Sequence, residues 1–512
     1  MWQSFLAFDY LLIVGMRDNY TLTFATETYR NTLTFPSMNM TFAKVLVLSL
    51  AMIHCSSERT SLRAHHDLPV VENYQPSEIV GSVKKPFQCG KCTYVVPKKH
   101  EHDGAKLGLK PGDVICLDAK IKYGPLKFVN LKGTKEKPIT IINCGGPITI
   151  DTPGHSFALK TEKSEHFRIT SVGTKDDPYG IKISGAKGMG IALDYLSTNF
   201  EVDHVEVFNI GFAGIMAKTD PNCDDATIRG NFVMRDIALH DNYIHDTGGE
   251  GFYIGNSFYN NGMKRKCGVR FPHDIEGVKV FNNIVKNSGW ESIQVGSAPK
   301  RAEVYNNYIE NYGTKDIENQ RGGIQIGEGT GGLCYNNFIK KGKGNAMIVL
   351  GYGDNIIFNN VIIDAGKNAI FCDERYTKGD GFKFINNTII NPGHDGILIY
   401  AELVEKNVII NNIIANPGNY KVYESTPYKR AEDAYVHKLN KDVRIDMSNN
   451  LFTQDVSQLK FLNVDQYDFK VSRESPAIDG GRDMSAYNIN FDFLKNERPK
   501  GKGYDIGAFE FE

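Results

Sequence analysis

The sequence predicts an all-β protein that winds as a single parallel β-helix, a solenoid, and three observations predict it. An Asn-Asn pair recurs along the chain, alternating apolar β-formers precede each pair, and no copy contains an amphipathic stretch long enough for an α-helix. The length of 512 residues does not force several domains, because a solenoid grows by adding coils.

The Asn-Asn pairs set the repeat. Between the second asparagines at positions 283 and 412 the intervals are 24, 30, 23, 27 and 25 residues, a repeat length typical of solenoids. Leucine does not fill the apolar columns, which argues against a leucine-rich repeat. Asparagine tolerates the left-handed bend between two strands and can form a hydrogen-bonded ladder along a stack. The pairs are therefore predicted to be scaffold. Their second members are Asn242, Asn283, Asn307, Asn337, Asn360, Asn387, Asn412 and Asn450.

From Gly108 to Asn450 the chain resembles the right-handed parallel β-helix proteins of the pectate-lyase-like class. The resemblance rests on the entry segment "LGLKPGDVICLDAKIKYGPLKFVNLKGTKEKPITIINCGG" and on the tail "SPAIDGGRDMSAYNINFDFLKNERPKGKGYDIGAFEFE". The tail is similar to closing segments of exported β-helix proteins of the Bacteroidetes type. The resemblance implies a right-handed solenoid, while the reaction stays open, because the superfamily holds lyases, hydrolases, epimerases and non-catalytic surface proteins.

The segment "MTFAKVLVLSLAMIHCSSER", which begins at Met40, has the pattern of a bacterial export signal. A lysine precedes a nine-residue apolar core, and Cys55 with two serines follows it. This predicts a lipoprotein lipidated at Cys55, in the periplasm or on the outer membrane of a Gram-negative bacterium. His54 departs from the small residue expected before such a cysteine, and a buried apolar strand is the alternative.

The predicted organisation follows from these segments. Residues 1–39 are expected to precede the true start, and residues 40–55 to be the signal. Residues 56–107 would form an N-terminal segment and cap, 108–450 the β-helix, and 451–512 a closing segment.

The net charge of the chain limits the kinds of partner that it could attract by bulk charge. Lys+Arg (59) and Asp+Glu (60) nearly cancel, so no bulk charge recruits nucleic acid or a membrane surface. The expected partner is an anionic poly- or oligosaccharide held by a local patch, with membrane contact only through the lipid anchor. The chain is expected to be a monomer.

The cysteines give three expectations. The "CGKC" motif at Cys89 and Cys92 could be a redox pair, half a metal site or a disulfide. Cys223 and Cys267 lie in inserted loops and could pair in an oxidising compartment. Four others fall at apolar strand positions and are predicted to be buried small hydrophobes: Cys116, Cys144, Cys334 and Cys372.

Candidate site residues emerge when the strands after each turn are aligned, among them "EGFYIGN" from Glu250, "ESIQVGS" from Glu291 and "GGIQIGE" from Gly322. The third and fifth positions of each copy are apolar and should point inward, so the fourth should face outward. That outward column is Tyr253, Gln294 and Gln325, followed by Ile348, Phe371 and Leu398.

The alignment also stacks Glu250 on Glu291. Adjacent coils lie about 4.8 Å apart, and two stacked carboxylates repel without a cation, a proton or a ligand. An exposed Trp290 beside them would serve as a sugar platform, and the inserts at 256–277 and 314–321 would form the wall of a cleft. The predicted catalytic residues are His245, Glu250, Tyr253, Glu291 and Arg321. The predicted substrate-binding residues are Trp290, Gln294, Gln325, Glu328 and His273.

Each member also has a simpler explanation. A single glutamate could be a solvated surface carboxylate, His245 could cap its turn, and Tyr253 with Gln294 could be ordinary surface β-formers. His204, His240 and His245 lie close enough in sequence to suggest a metal cluster. The cofactor is left open, and a divalent cation such as calcium would suit the stacked carboxylates.

Three functions suit such a cleft. In β-elimination on a uronic acid, a cation offsets the carboxylate charge and a Tyr, His, Lys or Arg removes the C5 proton. The enzyme is a polysaccharide lyase if C4 carries a sugar and a dehydratase if C4 carries a hydroxyl at a chain end. The alternatives are a glycoside hydrolase using the glutamate pair and a non-catalytic glycan-binding surface lipoprotein. Elimination is favoured because His245, Tyr253 and Arg321 accompany the carboxylates. The dense aspartate calcium cage of the better-known β-helix lyases is not evident, which argues against pectate as the substrate.

Overall fold

The computed structural model describes residues 87–511 except 376, together with three strands nearer the N-terminus. The chain divides into two units, Met1–Leu68 and Pro69–Glu512. The first contains an antiparallel sheet of Leu12–Met16, Asn19–Thr26 and Tyr29–Pro36. The predicted signal at 40–55 and its lipidated Cys55 lie outside the described residues, and the predicted start near residue 40 stays a prediction.

In the second unit the described residues wind as a parallel β-helix with three faces. Each coil contributes one strand to sheet 1, passes the Asn-Asn corner to sheet 2, turns into sheet 3 and loops back to sheet 1. The all-β prediction is confirmed: the described residues hold one α-helix, Asn419–Glu424. Among them no helix is long and apolar enough to cross a bilayer.

The three sheets have 13, 11 and 12 described strands. Sheet 1 consists of Tyr94–Val95, Val114–Asp118, Ile139–Cys144, Glu165–Ile169, Thr198–Asp203, Val233–His240, Asp274–Phe281, Ala302–Tyr305, Gly332–Tyr335, Ile356–Phe358, Lys383–Ile385, Asn407–Ile410 and Ile445–Ser448. Sheet 2 consists of Ile148–Asp151, Ile181–Ser184, Val205–Ile210, Tyr243–Thr247, Ile284–Ser288, Tyr308–Glu310, Phe338–Gly342, Val361–Ala365, Thr388–Ile390, Ile413–Ala415 and Leu451–Thr453. Sheet 3 consists of Glu101–Asp103, Leu126–Val129, Phe157–Glu162, Met189–Leu193, Ile215–Ala217, Phe252–Ile254, Ile293–Val295, Ile324–Ile326, Met347–Val349, Ile370–Cys372, Ile397–Ile399 and Val436–Lys438.

Two short hairpins and several 3-10 turns accompany the three sheets. A hairpin of Met263–Arg265 and Gly268–Arg270 lies in the predicted insert at 256–277, and a second hairpin joins Phe461–Asn463 to Asp468–Val471. Five 3-10 turns complete the described elements: Cys89–Lys91, Asp225–Thr227, Ala431–Ala434, Val456–Leu459 and Ser485–Tyr487. The solenoid strands begin at Tyr94–Val95, so the coils include part of the segment expected to cap them.

The asparagine ladder forms as predicted. The first asparagine of each pair adopts left-handed backbone geometry, as at Asn306 with φ 54°. The second lies buried inside the corner: Asn307 Nδ2 donates to Asn337 Oδ1 at 3.0 Å and to the Val280 carbonyl at 2.9 Å. The same link runs from Asn242 to Asn450, coil after coil. This ladder pairs polar groups that the corner removes from water.

Replacing Asn307 by alanine should lower the free energy of unfolding by about 2–4 kcal/mol, because it orphans buried partners above and below. Asn231, an exposed asparagine that donates to the Asp225 carbonyl and lacks left-handed geometry, is the matched control, and its alanine variant should change stability far less. Chemical denaturation measures both. Equal effects of the two substitutions would argue against a buried ladder as the stabilising feature.

The cysteines partly depart from expectation. Cys89 pairs with Cys144 and Cys92 with Cys116, so "CGKC" forms two disulfides to neighbouring coils rather than one within the motif. Cys116 and Cys144 are buried as predicted, but they are disulfide-bonded rather than simple small hydrophobes, because the entering segment packs directly over them. The Cys223–Cys267 pair is confirmed, and Cys334 and Cys372 are buried free thiols.

Candidate functional site

The outward row of sheet 3 has the predicted register. Tyr253 pairs with Gln294, and Gln294 with Gln325. Gln325 Nε2 donates to Gln294 Oε1 at 3.0 Å, and Gln294 Nε2 donates to Ser257 Oγ at 3.0 Å. Ile348, Phe371 and Leu398 continue the row on successive coils. The face is therefore polar at coils 250–326 and apolar beyond them.

Glu250 and Glu291 stack as predicted, but they are buried. Their backbones are adjacent, since the Gly251 N–H donates to the Glu291 carbonyl at 3.0 Å. Only 2% of Glu250 and 0% of Glu291 is exposed. Glu250 Oε2 and both carboxyl oxygens of Glu291 have no hydrogen-bond partner among the described residues. The pair is thus a desolvated acid cluster rather than a solvated surface feature.

Burial controls the protonation of this pair. It raises the pKa of Glu250 to about 7. Burial first, and then the neighbouring Glu250, raise the pKa of Glu291 to about 8. The expected repulsion is therefore relieved by a proton, and at neutral pH the pair carries at most a single negative charge for most of the time.

Two glycines allow neighbouring side chains to cover the pair. A Cβ at Gly322 would lie 3.4 Å from Glu291 Cγ and 3.0 Å from Ile348 Cδ1, so this glycine lets Ile348 approach the carboxyl-bearing chain. Across Gly249, the Phe212 and Trp290 rings meet edge to face at 5.4 Å. Trp290 is partly exposed, and its buried indole N–H has no partner among the described residues. Its role as a sugar platform stays a prediction.

Lys218 is the site residue that the sequence reasoning missed. It follows strand Ile215–Ala217, one coil before Tyr253, and its Nζ lies 4.2 Å from the Tyr253 ring centroid and 2.9 Å from Asp220 Oδ1. Burial alone would lower the pKa of Lys218, but Tyr253 and Asp220 outweigh it and raise the pKa, so the amine is charged at neutral pH. The sequence did contain a signal for Lys218. Met216 is in register with Tyr253, and Lys218, two residues after Met216, therefore points to the same outward face.

The first predicted insert fastens the segment that carries Lys218. Arg265, in the hairpin, donates through Nε to the Pro221 carbonyl at 2.8 Å. The Cys223–Cys267 disulfide joins the same two segments. Buried His273 accepts the Thr219 N–H at Nε2 (3.0 Å) and contacts the Asp274 carbonyl through Nδ1 (2.9 Å). Because both ring nitrogens are used by the backbone, His273 supports this wall and offers no free nitrogen to a substrate.

Three of the predicted site residues have partners other than the Glu250–Glu291 pair, Lys218 and Tyr253. His245 is on sheet 2, where its nitrogens contact Glu206 and Asp246 at 3.1 and 2.7 Å. Arg321 occupies the turn position of Trp290 in the next coil, but its guanidinium pairs with Asp316 in the second insert. Glu328 follows strand Ile324–Ile326 and accepts the Asn260 N–H at 3.4 Å. Sheets 2 and 3 face different directions, which is why alignment along the sequence overstated the role of His245.

The suggested histidine metal cluster does not assemble as predicted, because His245 is on another sheet. Glu201, Asp203 and His240 lie close together on sheet 1. Arg168 Nε lies 2.7 Å from Asp203 Oδ1, and His240 contacts Glu201 and Asp241 at 3.1 and 2.7 Å. Protein cations already neutralise these carboxylates. A calcium ion at the glutamate pair stays a prediction.

Comparison with known proteins agrees with this architecture. The family model described as "Right handed beta helix region" matches residues 267–428. The chain is a right-handed parallel β-helix protein. No curated protein sequence matches this β-helix protein.

Several solved structures are similar to the β-helix. Pectate lyase Pel9A is 14% identical, with 80% of this chain and 90% of that chain covered and a TM-score of 0.43. An alginate lyase from Paenibacillus sp. is 18% identical, with 58% and 93% covered and a TM-score of 0.32. A lacto-N-biosidase from Eubacterium ramulus is 14% identical, with 72% and 68% covered and a TM-score of 0.43. At these identities the similarities concern the fold alone.

Proposed function

We propose that this β-helix protein acts on uronate-containing poly- or oligosaccharides by β-elimination, as a carbon–oxygen lyase. The observation that carries the proposal is the contact between the Lys218 ammonium and the Tyr253 ring on the outward face of sheet 3. Elimination from a uronate uses a cation and a side chain that removes the C5 proton, and Lys218 and Tyr253 can supply these two groups side by side.

The chemistry divides between these two residues. Lys218 offsets the charge of the substrate carboxylate and so stabilises the negative charge that develops when the C5 proton leaves. Tyr253, as phenolate, takes that proton. The C4–O bond then breaks as the C4–C5 double bond forms, and return of the proton from Tyr253 to the departing oxygen restores the enzyme. The product is an unsaturated uronate.

The remaining polar residues would orient the sugar. Gln325, on the row that begins at Tyr253, is only partly buried and presents an amide group that can bond to a hydroxyl. Gln294 is buried, and its amide bonds to Ser257 and Gln325, so it supports Gln325 rather than the substrate. Arg321 and Lys218 each pair with an aspartate, Asp316 and Asp220, but of the two only Lys218 is in contact with Tyr253, so we assign the cation role to Lys218. Because the Glu250–Glu291 pair carries at most a single negative charge at neutral pH, it repels an anionic substrate less than two ionised carboxylates would.

A glycoside hydrolase is the second candidate, because the glutamate pair has the raised pKa values of a general acid. Neighbouring coils would also separate the two carboxyl groups by about 5 Å, the spacing of retaining enzymes. Both carboxyl groups are buried, however, whereas Tyr253 is only partly buried. Lys218 is buried as well, but the proposed base Tyr253 is accessible without uncovering the glutamate pair, and we prefer elimination for that reason.

Export is also part of the proposal. Three disulfides, Cys89–Cys144, Cys92–Cys116 and Cys223–Cys267, suit an oxidising compartment such as the periplasm. They support the export signal proposed at 40–55 without bearing on lipidation at Cys55.

Product analysis tests the reaction class. With uronate oligosaccharides from algal and plant sources, near-ultraviolet absorbance should rise, because the new double bond is conjugated to the carboxylate. New reducing ends together with absorbance indicate a lyase, and absorbance with loss of one water by mass indicates a dehydratase. Reducing ends without absorbance would favour the hydrolase and contradict elimination.

A further inference from the structure

A second polar cluster lies at the far end of the sheet 3 row. His437 pairs in register with Leu398 and so extends the row that begins at Tyr253. Asp395 occupies the same turn column as Glu250 and Glu291, three coils beyond Gly322. We call Asp395, Asn419, Tyr423 and His437 the distal cluster.

Asp395 organises the distal cluster. It is buried, and its Oδ1 accepts Asn419 Nδ2 at 2.8 Å. Its Oδ2 accepts the Tyr423 hydroxyl at 3.1 Å and lies 3.1 Å from His437 Nδ1. His437 Nδ1 also lies 3.0 Å from the Tyr423 hydroxyl, which donates to Asp395 Oδ2. We assign the Nδ1–H tautomer because a proton on Nδ1 satisfies its contacts with Asp395 and Tyr423, and Nε2 is then the open ring nitrogen.

His437 and His204 each contact an aspartate carboxylate through Nδ1 and have no hydrogen bond at Nε2 among the described residues, unlike three other well-bonded histidines. His240, His245 and His273 each use both ring nitrogens in hydrogen bonds within the protein. His437 Nε2 has no partner among the described residues, and 16% of its side chain is exposed. A histidine whose tautomer is fixed at one nitrogen while the other is open has the arrangement of a ligand-binding group.

The distal cluster borders an apolar part of the row and its loops. Tyr400 and Leu439 are exposed on the loops that follow these two strands, and the Tyr400 ring lies 6.5 Å from the Phe371 ring in an edge arrangement. Leu398 and Phe371 lead back along the row toward Gln325. One bare acceptor nitrogen among apolar and aromatic side chains suits a sugar ring, which has apolar faces and hydroxyl edges.

We propose that the distal cluster is a sugar-binding site, in which His437 Nε2 accepts a hydroxyl of the glycan chain. This inference rests on the proposed function, since it assigns to the same substrate a second contact on the same face. Six strand spacings separate His437 from Tyr253, about 29 Å at ~4.8 Å each. Only long chains reach both sites, so the distal cluster favours long substrates over short ones.

The test compares His437→Ala and Tyr423→Phe with wild type on short and long uronate oligosaccharides. His437→Ala should raise KM at least about tenfold for long chains, the equivalent of about 1.4 kcal/mol. KM for short chains and kcat for both should stay unchanged. Tyr423→Phe retains the Asp395–His437 contact and should have a smaller effect in the same direction. His155→Ala, at an exposed histidine, is the control.

Two results would overturn the inference: an unchanged KM for long chains, or an equal rise for long and short chains. Calorimetric titration with the same oligosaccharides separates this inference from the proposed function. If wild type releases no unsaturated product yet binds long chains in a His437-dependent way, the distal cluster stands and the lyase proposal fails. If neither binding nor KM depends on His437, the distal cluster is not a sugar site.

Discussion

Glu291→Gln is expected to stabilise the folded chain at alkaline pH, on the order of 4 kcal/mol at about pH 9. Burial and Glu250 raise the pKa of Glu291 to about 8, well above its usual 4.5. Between these values the folded chain binds a proton that the unfolded chain releases. Stability is therefore full at acid pH, falls as pH rises above about 4.5, and levels off above about pH 8.

Glutamine at position 291 removes this loss of stability at high pH, because glutamine cannot ionise and has nearly the same shape as glutamate. Chemical denaturation of wild type and variant across the pH range gives the measurement, and the two curves should diverge steadily above about pH 5. Glu250→Gln should behave alike but less strongly, since the pKa of Glu250 rises only to about 7.

Glu310→Gln is the matched control with the opposite sign. Burial would raise the pKa of Glu310, but Lys340 and Lys286 outweigh it and lower the pKa. The stability that Glu310 contributes is thus present at neutral pH and lost in acid, so its glutamine variant should be less stable than wild type at pH 7. A Glu291→Gln variant that is no more stable than wild type at pH 9 would show that the carboxyl is charged and paired in solution.

An unpaired buried acid pair that costs stability is more readily explained by a functional site than by a structural role. The same coils also hold Lys218, Tyr253 and two glycines whose lack of side chains lets neighbouring residues close over Glu291. We therefore expect the glutamine variants to gain stability. Loss of activity in those variants would favour the glutamate-pair hydrolase, because the proposed elimination uses Lys218 and Tyr253 and does not require a carboxyl group at either position.

The fold could be predicted because its signal is local and repeated. Each Asn-Asn corner carries its own left-handed residue and its own ladder link, so Asn307 or Asn337 can be recognised without knowing the rest of the coil. The outward row could be predicted as well, because alternation fixes the face of Tyr253 and Gln294 once one coil is aligned with the next.

The features that could not be predicted from the sequence depend on contacts between coils. The burial of Glu291 arises from Gly322 and Ile348 on the two following coils, which no single repeat reveals. His245 precedes the turn between sheets 2 and 3, and that turn separates its face from that of Tyr253. The Cys92–Cys116 disulfide likewise joins the entering segment to the first coil.

Tyr253→Phe should lower kcat for formation of the unsaturated product by about 10²–10⁴-fold, the usual contribution of a general base. KM should change little, because the ring that packs against Lys218 remains. Lys218→Met keeps the bulk and removes the charge, and it should reduce kcat/KM by a comparable factor through loss of carboxylate neutralisation. Tyr305→Phe, at a stacked tyrosine on the outer face of sheet 1, is the matched control and should keep the wild-type rate.

The most direct test of β-elimination with Tyr253 as the base is the initial rate at which near-ultraviolet absorbance increases on uronate oligosaccharides. Wild type, Tyr253→Phe and Tyr305→Phe are compared, and circular dichroism verifies that each is folded. We expect the absorbance to rise steadily for wild type and Tyr305→Phe, and to rise at least about 10²-fold more slowly for Tyr253→Phe. An equal rate for Tyr253→Phe and wild type would contradict Tyr253 as the base. Bond cleavage by wild type without any absorbance would contradict elimination itself.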